Sequence, residues 1–108
     1  MNKIAQNPFG ISSKSYLEIV RILRNQTKIK KVLVFGSRAM GNYKNGSDVD
    51  LAIIFDKKAD LTDFLNLQTE FEANQIIPYK IDLLDFNNLE NQALIQHIND
   101  FGKEFHII

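Results

Sequence analysis

A small α/β (α+β) domain, with a mixed β-sheet and helices packed mainly on one face, is the fold class this sequence predicts. Three observations predict it. Short β-branched runs alternate with stretches of helical period in the order α-β-turn-β-α-β-α. Residues 37–46, which join the first two strands, are too few for a crossover helix, so those strands should run antiparallel. Residues 61–75 are long enough to cross over, so the second and third strands can pair in parallel through a right-handed connection.

Residues 1–12 read as irregular, with Pro8 and Gly10 as breakers. Ser15 and Glu18 have capping-box spacing, and Tyr16, Ile19, Val20 and Leu23 recur at the helical period, which predicts a helix over 15–25. The run KKVLVFG (30–36) reads as a buried strand ended by glycine. Gly41, Asn42, Asn45 and Gly46 restrict residues 37–46 to a short helical turn and a loop. SDVDLAIIF (47–55) is the second strand, expected to be buried on both sides beyond Asp50. Asp60 can cap a helix carrying Leu61, Phe64, Leu65 and Phe71, with Pro78 marking its end. KIDLLDF (80–86) is the third strand. Asn87 or Asn88 can start a last helix stopped by Gly102, and the tail EFHII can add an edge strand.

The 108 residues make one domain, 1–108, with its core in about 15–102. Cysteine is absent, which excludes a disulfide framework, a zinc–thiolate site and a thiol nucleophile. The first residues carry no apolar signal segment, and no apolar run approaches the roughly 20 residues that span a bilayer. A soluble, cytoplasmic protein with no membrane association is expected. Net charge is zero, yet residues 1–44 hold nine Lys/Arg and one acid, and residues 45–108 hold four Lys and twelve acids. Such asymmetry fits a charged partner or substrate.

The stretch FGSRAMGNYKNGSDVDLAIIF (35–55) carries the chemistry. Alternation puts Asp48 and Asp50 on one face of a strand, roughly 6–7 Å apart along it. If strands two and three are parallel neighbours, both begin at the same sheet end, and Asp82 joins the pair. Three carboxylates on one patch repel and raise one another's pKa values, so a cation should sit there. Mg²⁺ suits such a site, because it prefers carboxylate oxygens and takes few protein ligands plus substrate phosphates. The antiparallel first strand delivers Gly36 and Ser37 to the same end. Gly36 allows close backbone approach, and residues 37–40 can open a helical turn whose free N–H groups favour phosphate. Arg38 and Lys44 add positive charge in the same loop. The aspartates are expected to hold metal against a bound triphosphate.

GS, ten residues, then DVDL resembles the nucleotidyltransferase signature of the polymerase-beta-like superfamily, and KIDLLDF resembles the strand with that superfamily's third carboxylate. The length is similar to that of minimal nucleotidyltransferases, small prokaryotic proteins often encoded beside a helical HEPN partner. The resemblance implies the nucleotidyltransferase fold over about residues 15–102. It implies Asp48, Asp50 and Asp82 as catalytic metal ligands for two Mg²⁺ ions. It implies Gly36 and Ser37 as the nucleotide phosphate motif. The implied reaction is transfer of NMP, in particular AMP from ATP, to a hydroxyl such as a tyrosine of a HEPN toxin, which makes this chain an antitoxin. Set beside larger relatives, the resemblance leads to the expectation of no helical domain for holding base or acceptor within these 108 residues. The alternative is a non-catalytic nucleotide-binding protein that neutralises a HEPN partner by complex formation. Direct nucleic-acid binding ranks last, because the basic half lacks interleaved exposed aromatics.

Other polar residues have plainer readings. Asp85 is expected to cap the last helix, Asp56, Lys57 and Lys58 to form a solvated turn, and Phe64 and Phe71 to lie in the core. His97 and His106 have no visible partner in the sequence and are expected to be structural.

Overall fold

The computed structural model describes residues 7–107. Helix α1 is Ser13–Asn25, strand β1 Ile29–Phe35, the one-turn helix α2 Ser37–Met40 and strand β2 Val49–Phe55. Helix α3 is Leu61–Ala73 and strand β3 Ile81–Asp85. A 3₁₀ turn over Phe86–Asn88 leads to helix α4, Gln92–Phe101, and a two-residue strand β4, Lys103–Glu104. The sheet order is β3-β2-β1-β4. β1 runs antiparallel to β2, and β2 is parallel to β3, as the connection lengths predict; β4 pairs antiparallel with the other side of β1.

Alternation sorts the sheet into two faces. Val32 and Val34 of β1 pair with Ile53 and Leu51 of β2, and all four are buried on one face. On that face α1 contributes Ile19, Ile22 and Leu23, and α3 contributes Phe64, Leu67 and Phe71. The other face carries Phe35, Asp50 and Asp82, with α4 lying over β1 there, its His97 ring edge-on to Phe35. Beyond Asp50 this face is covered only in part: Ala52 is fully buried, but Ile54 and the neighbouring Leu33 are half-buried, so the expected burial on both sides holds for Ala52 alone.

Several local expectations are corrected. α1 is capped by Ser12, whose Oγ accepts from the Ser15 N–H at 3.3 Å, so the Ser15/Glu18 capping box does not form. Ser15 is instead buried, and Glu18 accepts from Arg21 and from Asn74 of the segment after α3. A cap competes with any nearby Ser, and burial of the helix's apolar face selected the earlier one. α3 is capped by Asp60 as expected, with Asp63 completing a capping box, and it ends at Ala73, well before Pro78. The last helix begins later than Asn87 or Asn88: Asn91 caps it by accepting from the Leu94 N–H at 3.0 Å. Asn87 instead reaches across to β2, donating to the Phe55 carbonyl and accepting the Phe55 N–H at 3.0 and 2.8 Å. It thereby satisfies the backbone at the end of a strand. Asp85 caps nothing through its side chain; it accepts from the Asn88 amide at 2.7 Å. The edge strand is Lys103–Glu104 and does not continue through Ile107; Ile108 of the expected tail strand lies outside the described residues.

Candidate active site

The site forms where three chain segments meet at one end of the sheet. β1 ends at Phe35, which is paired with Asp50, and Asp50 is in turn the register partner of Asp82 on β3. Neighbouring strands lie about 4.8 Å apart, so the two carboxylates stand side by side. Asp48, one residue before β2 and on the same alternation, is exposed at the rim.

This crowding changes the electrostatics of Asp50. Burial raises its pKa first, then the charges of Asp82 and Asp48 and a hydrogen bond with Asp82, to about 6. His97 acts in the opposite direction. The adjacent cation, Lys80, reaches Asp82 at 3.5 Å, but both side chains are well exposed, and such a pair compensates little. Among the described residues, no three His, Cys, Asp or Glu side chains gather closely enough to enclose an ion. The donor set is nonetheless all hard carboxylate oxygen with uncompensated negative charge. It fits a small divalent cation held on one side by protein and completed by substrate phosphates and water.

Gly36 is fixed by its conformation. With φ at 71° and ψ at −152° it occupies a region essentially restricted to glycine. A Cβ built there would run into the Asp50 carboxylate. The glycine carbonyl accepts from the Ala39 and Met40 N–H groups at 3.2 and 3.1 Å, closing α2. The N–H groups of Ser37 and Arg38, at the start of this turn, have no intrahelical acceptor. Gly36→Ala is expected to lower the melting temperature by about 5–15 °C, from strain of roughly 1–3 kcal/mol. It is also expected to weaken nucleotide binding, because the new methyl displaces Asp50. Differential scanning calorimetry and a nucleotide titration on the same sample check both.

The structure separates the two cations expected at the nucleotide. Arg38 is 2% exposed, and its guanidinium faces the interior. Nη1 donates to the Phe9 carbonyl at 2.8 Å, and Nη2 and Nε donate to the Ser47 carbonyl at 2.9 and 3.2 Å. Tyr43 and Tyr79 cover it, with ring centroids at 4.9 and 4.8 Å. The guanidinium donors tie the N-terminal segment and the loop before β2 to α2, so the phosphate contact expected of the Arg38 side chain gives way to a structural role. Lys44 is exposed in the loop, and its backbone N–H donates to Ser47 Oγ at 2.9 Å. Its ammonium group remains open to a ligand.

His97, expected to be structural and without a visible partner, has one at the site. The Gly36 N–H donates to its Nε2 at 3.3 Å across 61 positions of sequence. Nothing local in the sequence signals a contact of that range.

The sequence profile described as "Polymerase beta, Nucleotidyltransferase" matches residues 18–106. The chain belongs to the polymerase beta nucleotidyltransferase family. This nucleotidyltransferase is 34% identical over 86 residues, 80% of its own length and 73% of the other's, to a Haemophilus influenzae protein named probable protein adenylyltransferase MntA. It is 30% identical over 69 residues, 64% of its own length and 68% of the other's, to protein adenylyltransferase MntA of Thermococcus cleftensis. Its fold matches a chain in the crystal structure of a toxin-antitoxin with AMP-PNP with a TM-score of 0.64 at 25% identity, covering 84% of the nucleotidyltransferase and 72% of that chain. No helix among its described residues is long and apolar enough to cross a membrane.

Proposed function

We propose that this nucleotidyltransferase moves AMP from ATP to a hydroxyl, a tyrosine of a helical HEPN toxin, and so acts as the antitoxin of that partner. The observation that carries the reading is the packing of the Gly36 turn against Asp50, with Asp82 in register beside it. Kinship with protein adenylyltransferases supports AMP as the transferred group, and likeness to a chain of a toxin-antitoxin with AMP-PNP supports the partner class.

Asp48, Asp50 and Asp82 would hold Mg²⁺, which when bound supplies charge neutralisation for the triphosphate and acidifies the attacking hydroxyl. Ser37, through its hydroxyl and N–H, and the Arg38 N–H take the leaving phosphate oxygens at the start of α2. The Asp50 carboxylate, held against Gly36, fixes the distance between that turn and the carboxylate patch. The partner hydroxyl oxygen attacks the α-phosphorus, the bond to the β-phosphate oxygen breaks, and pyrophosphate leaves with the electron pair. Asp82, on the edge strand, takes the hydroxyl proton. Most of the rate advantage then comes from position and charge rather than from covalent chemistry by the chain.

The test is intact mass spectrometry of the HEPN partner after incubation with ATP, Mg²⁺ and wild-type or Asp82→Ala protein. A gain of one or more AMP units with wild type and none with the variant is expected. An unmodified partner that is still inhibited at stoichiometric ratio would replace transfer by the occlusion reading.

A further inference from the structure

The Gly36 turn is held from both ends, and one of the holds comes from outside the signature. Glycine in a sparsely populated backbone region keeps one conformation only when its surroundings over-determine it. On the C-terminal side, the Gly36 carbonyl is fixed by the N–H groups of Ala39 and Met40. On the N-terminal side, the Gly36 N–H is fixed by the Nε2 lone pair of His97 on α4. The imidazole is itself braced, edge-on against Phe35 at 6.4 Å and tilted on Phe101 at 5.4 Å between ring centroids. Phe35 immediately precedes the glycine and is the register partner of Asp50. The ring therefore connects α4 to the phosphate turn and to the strand end that faces the carboxylates.

We infer that His97 is a positioning residue for nucleotide binding, whose Nε2 orients the Gly36 peptide so that the Ser37 and Arg38 N–H groups face the triphosphate. Its hold on Gly36 leaves those two N–H groups, rather than that of Gly36, as the backbone donors. The inference rests on the reading of residues 36–50 as the nucleotide site.

Calorimetric titration of the full chain with AMPCPP, an ATP analogue with a methylene between the α- and β-phosphates, in excess Mg²⁺, tests it. His97→Phe keeps a ring against Phe35 and Phe101 but has no acceptor, and His97→Gln places an amide oxygen where Nε2 stood. Loss of one orienting hydrogen bond predicts that Kd rises about five- to tenfold in His97→Phe and stays within about twofold of wild type in His97→Gln. Both variants should melt close to wild type; if His97→Phe does not fold, His97→Leu takes its place in the same comparison. Equal affinity of wild type and His97→Phe would overturn the inference while leaving the nucleotide site standing. Tighter binding by His97→Phe would also overturn it, by showing that the imidazole competes with phosphate for Gly36. Wild-type protein that fails to bind the analogue at all would overturn both the site and the inference built on it.

Discussion

Asp50→Asn is expected to reduce AMP transfer by about 10³-fold or more, since the site then loses its central carboxylate and the charge that a metal-bound triphosphate needs. The same variant should be more stable than wild type in metal-free buffer. Asp50 has its pKa raised to about 6 from 3.8, so between those values the folded state holds a proton that the unfolded state has released. Wild-type stability therefore falls as pH rises through that window and stays reduced above it. Asparagine carries no charge and escapes the loss. Allowing for solvent screening at a partly exposed site, the variant should gain roughly 1–2 kcal/mol at pH 7.5 and nothing at pH 3.5. Urea unfolding in EDTA at the two pH values, beside a transfer assay, checks this. A variant that is inactive and destabilised at pH 7.5 would show that Asp50 serves packing rather than the ligand.

Arg38→Met should cost about 2–4 kcal/mol, because it leaves the buried Phe9 carbonyl and the part-buried Ser47 carbonyl without their charged donor. A domain of this size has only roughly 5–15 kcal/mol in total, so a large part of the chain should be unfolded at 37 °C. Methionine fills much of the same volume, so the loss isolates the polar contacts rather than a cavity. Chemical denaturation and near-ultraviolet dichroism from Tyr43 and Tyr79 are the readouts. A variant that melts like wild type but binds nucleotide weakly would return Arg38 to the phosphate.

These two residues differ in how far the sequence reaches. Asp50 was legible because strand alternation and a parallel crossover are local rules. Two aspartates at i and i+2 must share a face, and a helix between strands must return the chain to the same sheet end. Those rules placed Asp82 opposite Asp50 without any knowledge of packing, and Gly36 at the adjoining strand end. Arg38 obeyed no such rule. A cation in a glycine-rich loop next to a phosphate turn reads as a ligand contact, and only the packed structure reveals that Tyr43, Tyr79 and two carbonyls enclose it.

The pairing of the first three strands, the signature spacing and the family were thus determined by the sequence alone, because each follows from the period of a strand, the length of a connection or a fixed spacing of residue types. The tertiary structure alone decided which of several polar residues would cap α1 and α4, that Asn87 would close the end of β2, that Arg38 would be interior, and that His97 would reach Gly36. Each of these is a choice among chemically equivalent donors and acceptors. Packing settles such choices: it sets which residue stands at a helix end, and a buried polar group such as Arg38 must find a partner wherever the packed chain brings one, however far away it lies in sequence.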